Sequence, residues 1–194
     1  MIHRQNLARL EDWIAVSGPW NNPHSDSYRG DVMKEDDLRL LHDLLTSQRV
    51  LALAVLVEGK PHVGLLPYAL KDDFSAAIIH VSALARHSKG LAPGLPFSIA
   101  IHFPDRPDLD PLQLPRVLLE GEVAVLDRGT REYGFSRAAF LKRFPSSDQT
   151  FSLGDFQLCE LRFRAGRLIG GFARASTVSE RILRDLASRY GPAA

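Results

Sequence analysis

Between residues 50 and 82 the chain lays down three apolar runs of strand length, separated by turns too short to hold a crossover helix. Val50–Val57 is continuously apolar, and Glu58, Gly59 and Lys60 form a turn. Residues 61–70 make the second run, Lys71, Asp72 and Asp73 turn again, and Ala76–Ser82 is the third. Parallel strands need a connection of a dozen or more residues, so runs this close must pair antiparallel. The spacing predicts a three-strand meander. Pro67 interrupts the second run and cannot donate to a ladder, which marks an edge, a bulge or a ligand-facing position.

The strand signal continues downstream. Residues 97–103 alternate Phe97, Ile99, Ile101 and Phe103 with smaller or polar residues, a period of two. A loop with Pro104, Pro107, Pro111 and Pro115 follows, then a strand over 116–126. Residues 156–164 form a sixth strand, joined by Ala165 and Gly166 to Leu168, Ile169, Gly170, Gly171 and Phe172. Helical spacing appears at 4–16 (Leu7, Leu10, Trp13, Ile14), at Glu35–Ser47 (Leu38, Leu41, Leu45), at 130–144 and at 178–190. The last has an apolar stripe of Val178, Ile182, Leu186 and Tyr190. Residues 19–31 read as a loop in which Trp20 and Tyr28 pack onto something. Short strands in the middle and helices at the ends give a mainly β, α+β architecture: a small antiparallel Greek-key barrel with peripheral helices. Residues 1–37 form an N-terminal helix and packed loop, and 38–194 the barrel with its C-terminal helix.

Composition narrows the function classes. A formal net charge of +1 gives no electrostatic case for nucleic acid or an anionic membrane. The single cysteine, Cys159, excludes an intramolecular disulfide framework and gives no zinc pattern. No apolar run approaches the roughly 20 residues that span a bilayer, and the first residues lack the basic-then-apolar order of a secretory signal. The expectation is a soluble cytoplasmic protein.

Three segments could carry chemistry. The third run ends in Ser82 and a basic turn, Ala85-Arg86-His87-Ser88-Lys89-Gly90-Leu91. Closely spaced cations and hydroxyls suit a phosphate, and a short helix opened by the turn would add free amides. The same residues also suit a solvated connection between strands. In the second run, Gly64, Pro67 and Ala69 leave room for a flat ligand at the backbone, or mark a bulged edge. In Ile169-Gly170-Gly171-Phe172-Ala173-Arg174-Ala175, paired glycines mark either close backbone approach or a turn. The histidines do not cluster, though His62 and His80 are placed on neighbouring strands. No nucleophile elbow, phosphate-binding P-loop or dinucleotide fingerprint occurs. Cys159 lies in an apolar strand and reads as an inert thiol. No residue stands out as catalytic, and no metal set is present.

Taken together and in order, these segments resemble the pyridoxamine 5'-phosphate oxidase-like FMN-binding split β-barrels, and within them the haem-utilisation branch. The matching pieces are the helix-to-strand segment 44–57, Gly64-Leu-Leu-Pro-Tyr-Ala69, residues 81–91, Leu119-Glu-Gly-Glu-Val123, residues 154–158 and residues 169–175. The resemblance implies a homodimer with FMN in the groove between subunits. It places Leu66, Pro67, Tyr68 and Ala69 along the isoalloxazine ring. Val81, Ser82, Arg86, His87, Ser88 and Lys89 fall at the phosphate. His87 stands where many relatives carry a lysine, with Lys89 compensating. Arg116 falls where some oxidases use a glutamine on the flavin, and Gly171, Phe172 and Arg174 reach the partner's flavin. The implied activity is that of an FMN-dependent oxidoreductase of unnamed substrate. Haem-degrading relatives use an iron-ligating histidine near the C-terminus, and none follows His102 here. Also absent is the arginine–histidine pair with which true pyridoxamine 5'-phosphate oxidases hold substrate. Haem binding or degradation is the alternative, a non-catalytic flavin-binding module a third reading, and a deazaflavin a variant of the first.

Overall fold

The fold follows from where the chain leaves its second strand. The computed structural model describes residues 33–191, so the expected helix at 4–16 and the Trp20–Tyr28 loop lie outside the described residues, as does nearly all of the proposed 1–37 segment. Strands β1 (Val50–Val57) and β2 (Lys60–Pro67) form a hairpin in register from Val57 opposite Lys60 to Val50 opposite Pro67. At Pro67 the ladder stops, and β3 (Ala69–Leu70) pairs instead with β4 (Ala76–Ser82). The remaining strands are β5 (Pro96–His102), β6 (Arg116–Val125), β7 (Phe156–Gly171) and β8 (Arg174–Ser179). The order is β2-β1-β5-β6-β7-β4-β3, with β8 on β7 and every pair antiparallel. The two ends of that order are consecutive in the chain. The sheet therefore curls until its edges meet at Tyr68, giving the expected split barrel with a Greek-key arrangement of β4 to β7.

Two expectations are corrected here. The first three strands are not a simple meander, because β2 pairs with β1 and not with β4. Pro67 has no amide to continue the ladder, and the chain crosses to the other edge of the sheet. His62 on β2 and His80 on β4 are accordingly not cross-strand neighbours. The second correction concerns 156–172. It is one strand of 16 residues rather than two joined by a turn. Gly166 lies within the ladder opposite Leu119, and a side chain there would strike the Leu118 carbonyl and the Leu119 side chain. A bulge at Glu120/Gly121 absorbs one residue of β7. Gly121 is required at the bulge, since a Cβ would overlap the Arg162 carbonyl oxygen.

The barrel interior is filled by alternate residues of every strand: Leu51, Leu53 and Val55 from β1, Ile99 and Ile101 from β5, Val117 and Leu119 from β6, Leu161 and Phe163 from β7. Helix α1 (Glu35–Ser47) adds Leu38, Leu41, Leu44 and Leu45 to the same core. Its first turn carries Glu35, Asp36 and Asp37, which suits the positive end of the helix. A second cluster lies on the outer face of β3, β4 and β7. There α2 (Arg131–Arg143), capped by the Thr130 hydroxyl, brings Phe140, and the following 3-10 segment Pro145–Ser152 brings Phe151. The C-terminal helix α3 spans Glu180–Tyr190 and buries Leu183 and Leu186. It starts later than expected, because Val178 belongs to β8 and the Ser179 hydroxyl caps the helix.

Tyr68 fixes the joint. Its ring is fully buried, its hydroxyl donates to the Leu45 carbonyl at 2.8 Å, and its amide donates to the Arg49 carbonyl at 3.2 Å. The Arg143 guanidinium lies 5.2 Å from the Tyr68 ring centroid. Arg143 also donates to the carbonyls of Thr46 (2.9 Å) and Gln48, tying α2 to the end of α1. A Tyr68→Phe variant keeps the packing and loses one buried hydrogen bond, so chemical denaturation should show a loss of about 1–2 kcal/mol. Gly121→Ala forces backbone apart at the bulge and should cost more, about 3 kcal/mol, in the same measurement.

Candidate functional site

The basic turn is a 3-10 segment, Arg86–Gly90, laid against the β1–β2 hairpin. Two close approaches hold it there. A Cβ on Gly90 would meet the Leu56 carbonyl at 2.8 Å, and a Cβ on Gly64 would meet the His87 ring at 2.7 Å. The notch above Gly64 thus holds the His87 imidazole and offers no room for a flat ligand, contrary to the sequence-based expectation. His87 Nε2 is buried without a hydrogen-bond partner among the described residues, and burial lowers the imidazole pKa.

The two hydroxyls of the segment are already committed. Ser82 donates to the Asp155 carboxylate at 2.8 Å and accepts from the Leu84 amide at 3.2 Å. Ser88 is buried and donates to the Ser82 carbonyl at 2.7 Å. Both brace the turn, and Asp155 brings a negative charge beside Ser82. The cations differ. Arg86 and Lys89 are exposed and make no ion pair among the described residues. Val81 points into the core.

Along the second strand, Leu66 and Tyr68 also face the barrel interior, and Ala69 is buried in the outer cluster beside α2. Pro67 alone of the four is exposed. Of these four residues, only the Pro67 side chain is open to a ligand. Burial raises the Tyr68 phenol pKa, so the hydroxyl is a fixed neutral donor.

The other proposed residues sit elsewhere on the sheet. Arg116, half-buried on β6, lies opposite His102 on β5 and Ile169 on β7, and donates to the Leu114 carbonyl at 3.0 Å. Gly171, at φ +142°, opens the β7–β8 turn, where the Phe172 amide donates to Gln113 Oε1 at 3.1 Å. Phe172 is exposed at the tip. Arg174 is paired with buried Asp37 of α1, which also accepts from the Ser176 hydroxyl at 2.8 Å. It joins β8 to α1 within this chain.

Sequence reasoning missed three polar positions. Asp155 orients Ser82, and its only signal was its place in the Gly154-Asp-Phe piece. Glu160 alternates with apolar residues and gave no sign of being fully buried. His80 was placed on a strand neighbouring that of His62, yet its ring stacks on Phe151 with centroids 3.8 Å apart and planes 5° from parallel. Its Nδ1 lies 3.1 Å from the Thr150 hydroxyl, while Nε2 has no partner among the described residues. Burial, aided by the Arg128 charge, lowers its pKa to about 4. Burial also pushes the Cys159 thiol up to about 12, so it stays an inert thiol.

The outer face of β2, β1, β5 and β6 is apolar and uncovered among the described residues. Val63 and Leu65 are 71% and 73% exposed. The register sets Leu65 beside Ala52, Ala100 and Leu118 in one row, and Val63 beside Ala54, Ser98 and Glu120 in the next. A shallow trough of about 430 Å³ runs across it. Burial among these residues raises the Glu120 carboxyl pKa.

No protein-family model and no curated protein matches the chain. Solved structures do. A heme binding protein from Mycobacterium smegmatis is 27% identical, with a TM-score of 0.68 over 79% of this chain and 62% of that one. The chain thus spans about three fifths of the length of that relative. A protein related to general stress protein 26 (pyridoxinephosphate oxidase family) from Clostridium acetobutylicum is 12% identical, with a TM-score of 0.57 over 77% of this chain and 99% of that one. An FAD-binding protein from Mesorhizobium loti is 14% identical, with a TM-score of 0.51 over 69% and 92%. The chain has the split-barrel fold of these flavin- and haem-associated proteins. No helix among the described residues is long and apolar enough to cross a membrane.

The His80 stack makes stability pH-dependent. The unfolded imidazole titrates near 6.5 and the folded one near 4. Between these values the unfolded state binds more protons, so the contribution is complete above pH 6.5 and is lost as pH falls toward 4. Urea denaturation at pH 7 and pH 4.5 should show a loss of roughly 2 kcal/mol that a His80→Phe variant reduces. Equal acid sensitivity in both proteins would remove His80 as its cause.

Proposed function

We propose that this chain binds FMN as a homodimer and serves as a flavin-dependent oxidoreductase. The observation that carries the reading is the braced basic turn. Ser82, Asp155, Ser88 and the His87–Gly64 contact hold its backbone, leaving Arg86 and Lys89 exposed and free of ion pairs among the described residues. Two such cations on a rigid base suit a phosphate monoester. Pro67 and the neighbouring backbone would flank the ring system, and Arg116 would face its pyrimidine side. FMN supplies hydride and single-electron chemistry when bound, and the chain supplies orientation and charge. A cation near the flavin's N1 side favours the reduced anion, which is the role assigned to Arg116.

The dimer rests on the uncovered sheet face. A contiguous apolar face left uncovered among the described residues marks an interaction surface, and a second copy of the chain would cover it through the same strands on both sides. An FAD-binding protein shares this fold, so the fold is compatible with a flavin, while the Mycobacterium smegmatis relative is a heme binding protein and supports the haem reading. The absorption spectrum of the purified protein separates the two: flavin bands with FMN released on denaturation, or a Soret band that shifts on haem titration. A protein that is colourless and binds neither would end both readings.

Replacing Arg86 and Lys89 together by alanine should weaken FMN binding roughly 100-fold, about 3 kcal/mol, in a flavin-fluorescence titration. Unchanged affinity would place the phosphate elsewhere. Leu65→Glu should convert a dimer to a monomer in light scattering, and a dimer that survives the substitution would mean that another face joins the copies.

A further inference from the structure

A cavity of about 1140 Å³ opens between α2, the β3–β4 turn and the end of α1. None of Arg86, His87, Ser88 or Lys89 lines it. Its floor is made by Ala69 and Ile78, and small residues on α2, Ala138 and Ala139, leave the space open. At its base the Glu160 carboxylate is fully buried. It accepts from the Ser136 hydroxyl at 2.9 Å and from Arg162 Nε at 3.1 Å, and it pairs with Lys71 Nζ at 3.3 Å. Burying an ion is costly unless it is paired and hydrogen-bonded. Here the pairing holds Lys71 at the cavity wall.

Of the four acidic residues of the wall, Asp72 makes no ion pair among the described residues and the other three have partners. Glu160 faces Lys71 and Arg162, Glu132 pairs with Arg162 at 2.7 Å, and Asp73 accepts from the Ser75 amide at 3.0 Å. Four cations line the cavity and make no ion pair among the described residues: Arg143, which donates to the Thr46 and Gln48 carbonyls, and Arg49, Arg131 and Lys142. Arg131 lies 5.1 Å from the centroid of Phe135, an exposed ring at the same wall. Uncompensated cations around a low-dielectric concavity raise the local concentration of anions, and an apolar floor takes an apolar body.

We infer that this cavity is a second ligand site, separate from the basic turn, for an organic anion with a flat apolar body. The acidic group would meet Arg131 and Lys142, while the body would rest on Ala69 and Ile78 beside Phe135.

The full-length protein, saturated with FMN, is titrated calorimetrically with naphthalene-2-carboxylate. Saturable binding is expected, at least tenfold weaker in an Arg131→Ala/Lys142→Ala variant and unchanged in Arg86→Ala/Lys89→Ala. Both pairs are exposed or half-exposed charges, and equal melting temperatures confirm the fold. Naphthalene-2-methanol, which lacks the charge, should bind at least tenfold more weakly than the carboxylate. Absence of saturable binding, or equal binding by the Arg131/Lys142 variant, overturns the inference. So does probe binding to the FMN-free protein that is lost on saturation with FMN, which would make the cavity the flavin site. Loss of FMN binding in the Arg86/Lys89 variant with probe binding intact leaves the two sites distinct.

Discussion

The buried ring of Tyr68 is the point on which the rest of the barrel depends. It occupies the single residue between the strand that ends one edge of the sheet and the strand that begins the other. If that residue faced water, the two edges could drift apart and each would expose unpaired backbone groups. Instead the ring sits in the core, its hydroxyl reaches the last turn of α1, and Arg143 covers its face from α2. One side chain thereby joins the barrel seam to two helices. Arg143 strengthens the arrangement through its bonds to the Thr46 and Gln48 carbonyls, which belong to the helix end that has no internal partners.

That seam shows what a strand pattern can and cannot reveal. The apolar runs of β1, β4, β5 and β6 were readable because each keeps strand length between turn residues, and the extent of α2 was readable from the helical spacing over 130–144. Pro67 correctly marked an interruption. What periodicity could not convey is that the interruption is a transfer between sheet edges, since pairing partners are set by long-range packing and not by local alternation. Gly166 misled for a related reason. A glycine in a strand looks like a break from sequence, whereas here close approach of the neighbouring strand demands it while the ladder runs on.

The candidate site was legible as a set of segments but not as a set of roles. Ser82, Ser88, Arg86 and Lys89 are equivalent in a pattern of donors. Folding divides them, because a hydroxyl can be consumed by a nearby carbonyl or carboxylate while a long cationic side chain reaches water. The serines became bracing and the cations became surface charge. Arg174 was claimed by Asp37, a partner 137 residues away that no local motif could announce.

Placement of charge follows the same logic across the molecule. Where cations meet carboxylates inside the fold, as at Glu160 and Asp37, they hold elements together and are not available to a ligand. Cations without such partners among the described residues stand at the turn after β4 and around the cavity under α2. Ordering a surface arginine or lysine costs side-chain entropy. A rigid mounting removes only the backbone share of that cost, so anions of more than one acidic oxygen gain most from it, because each further contact is made without further ordering of the chain. Phosphate and carboxylate groups meet this condition, and the two cationic regions are therefore suited to different portions of ligand chemistry: a compact phosphate at the narrow turn, and an acid carried on an apolar body where the floor beneath the cations is Ala69 and Ile78.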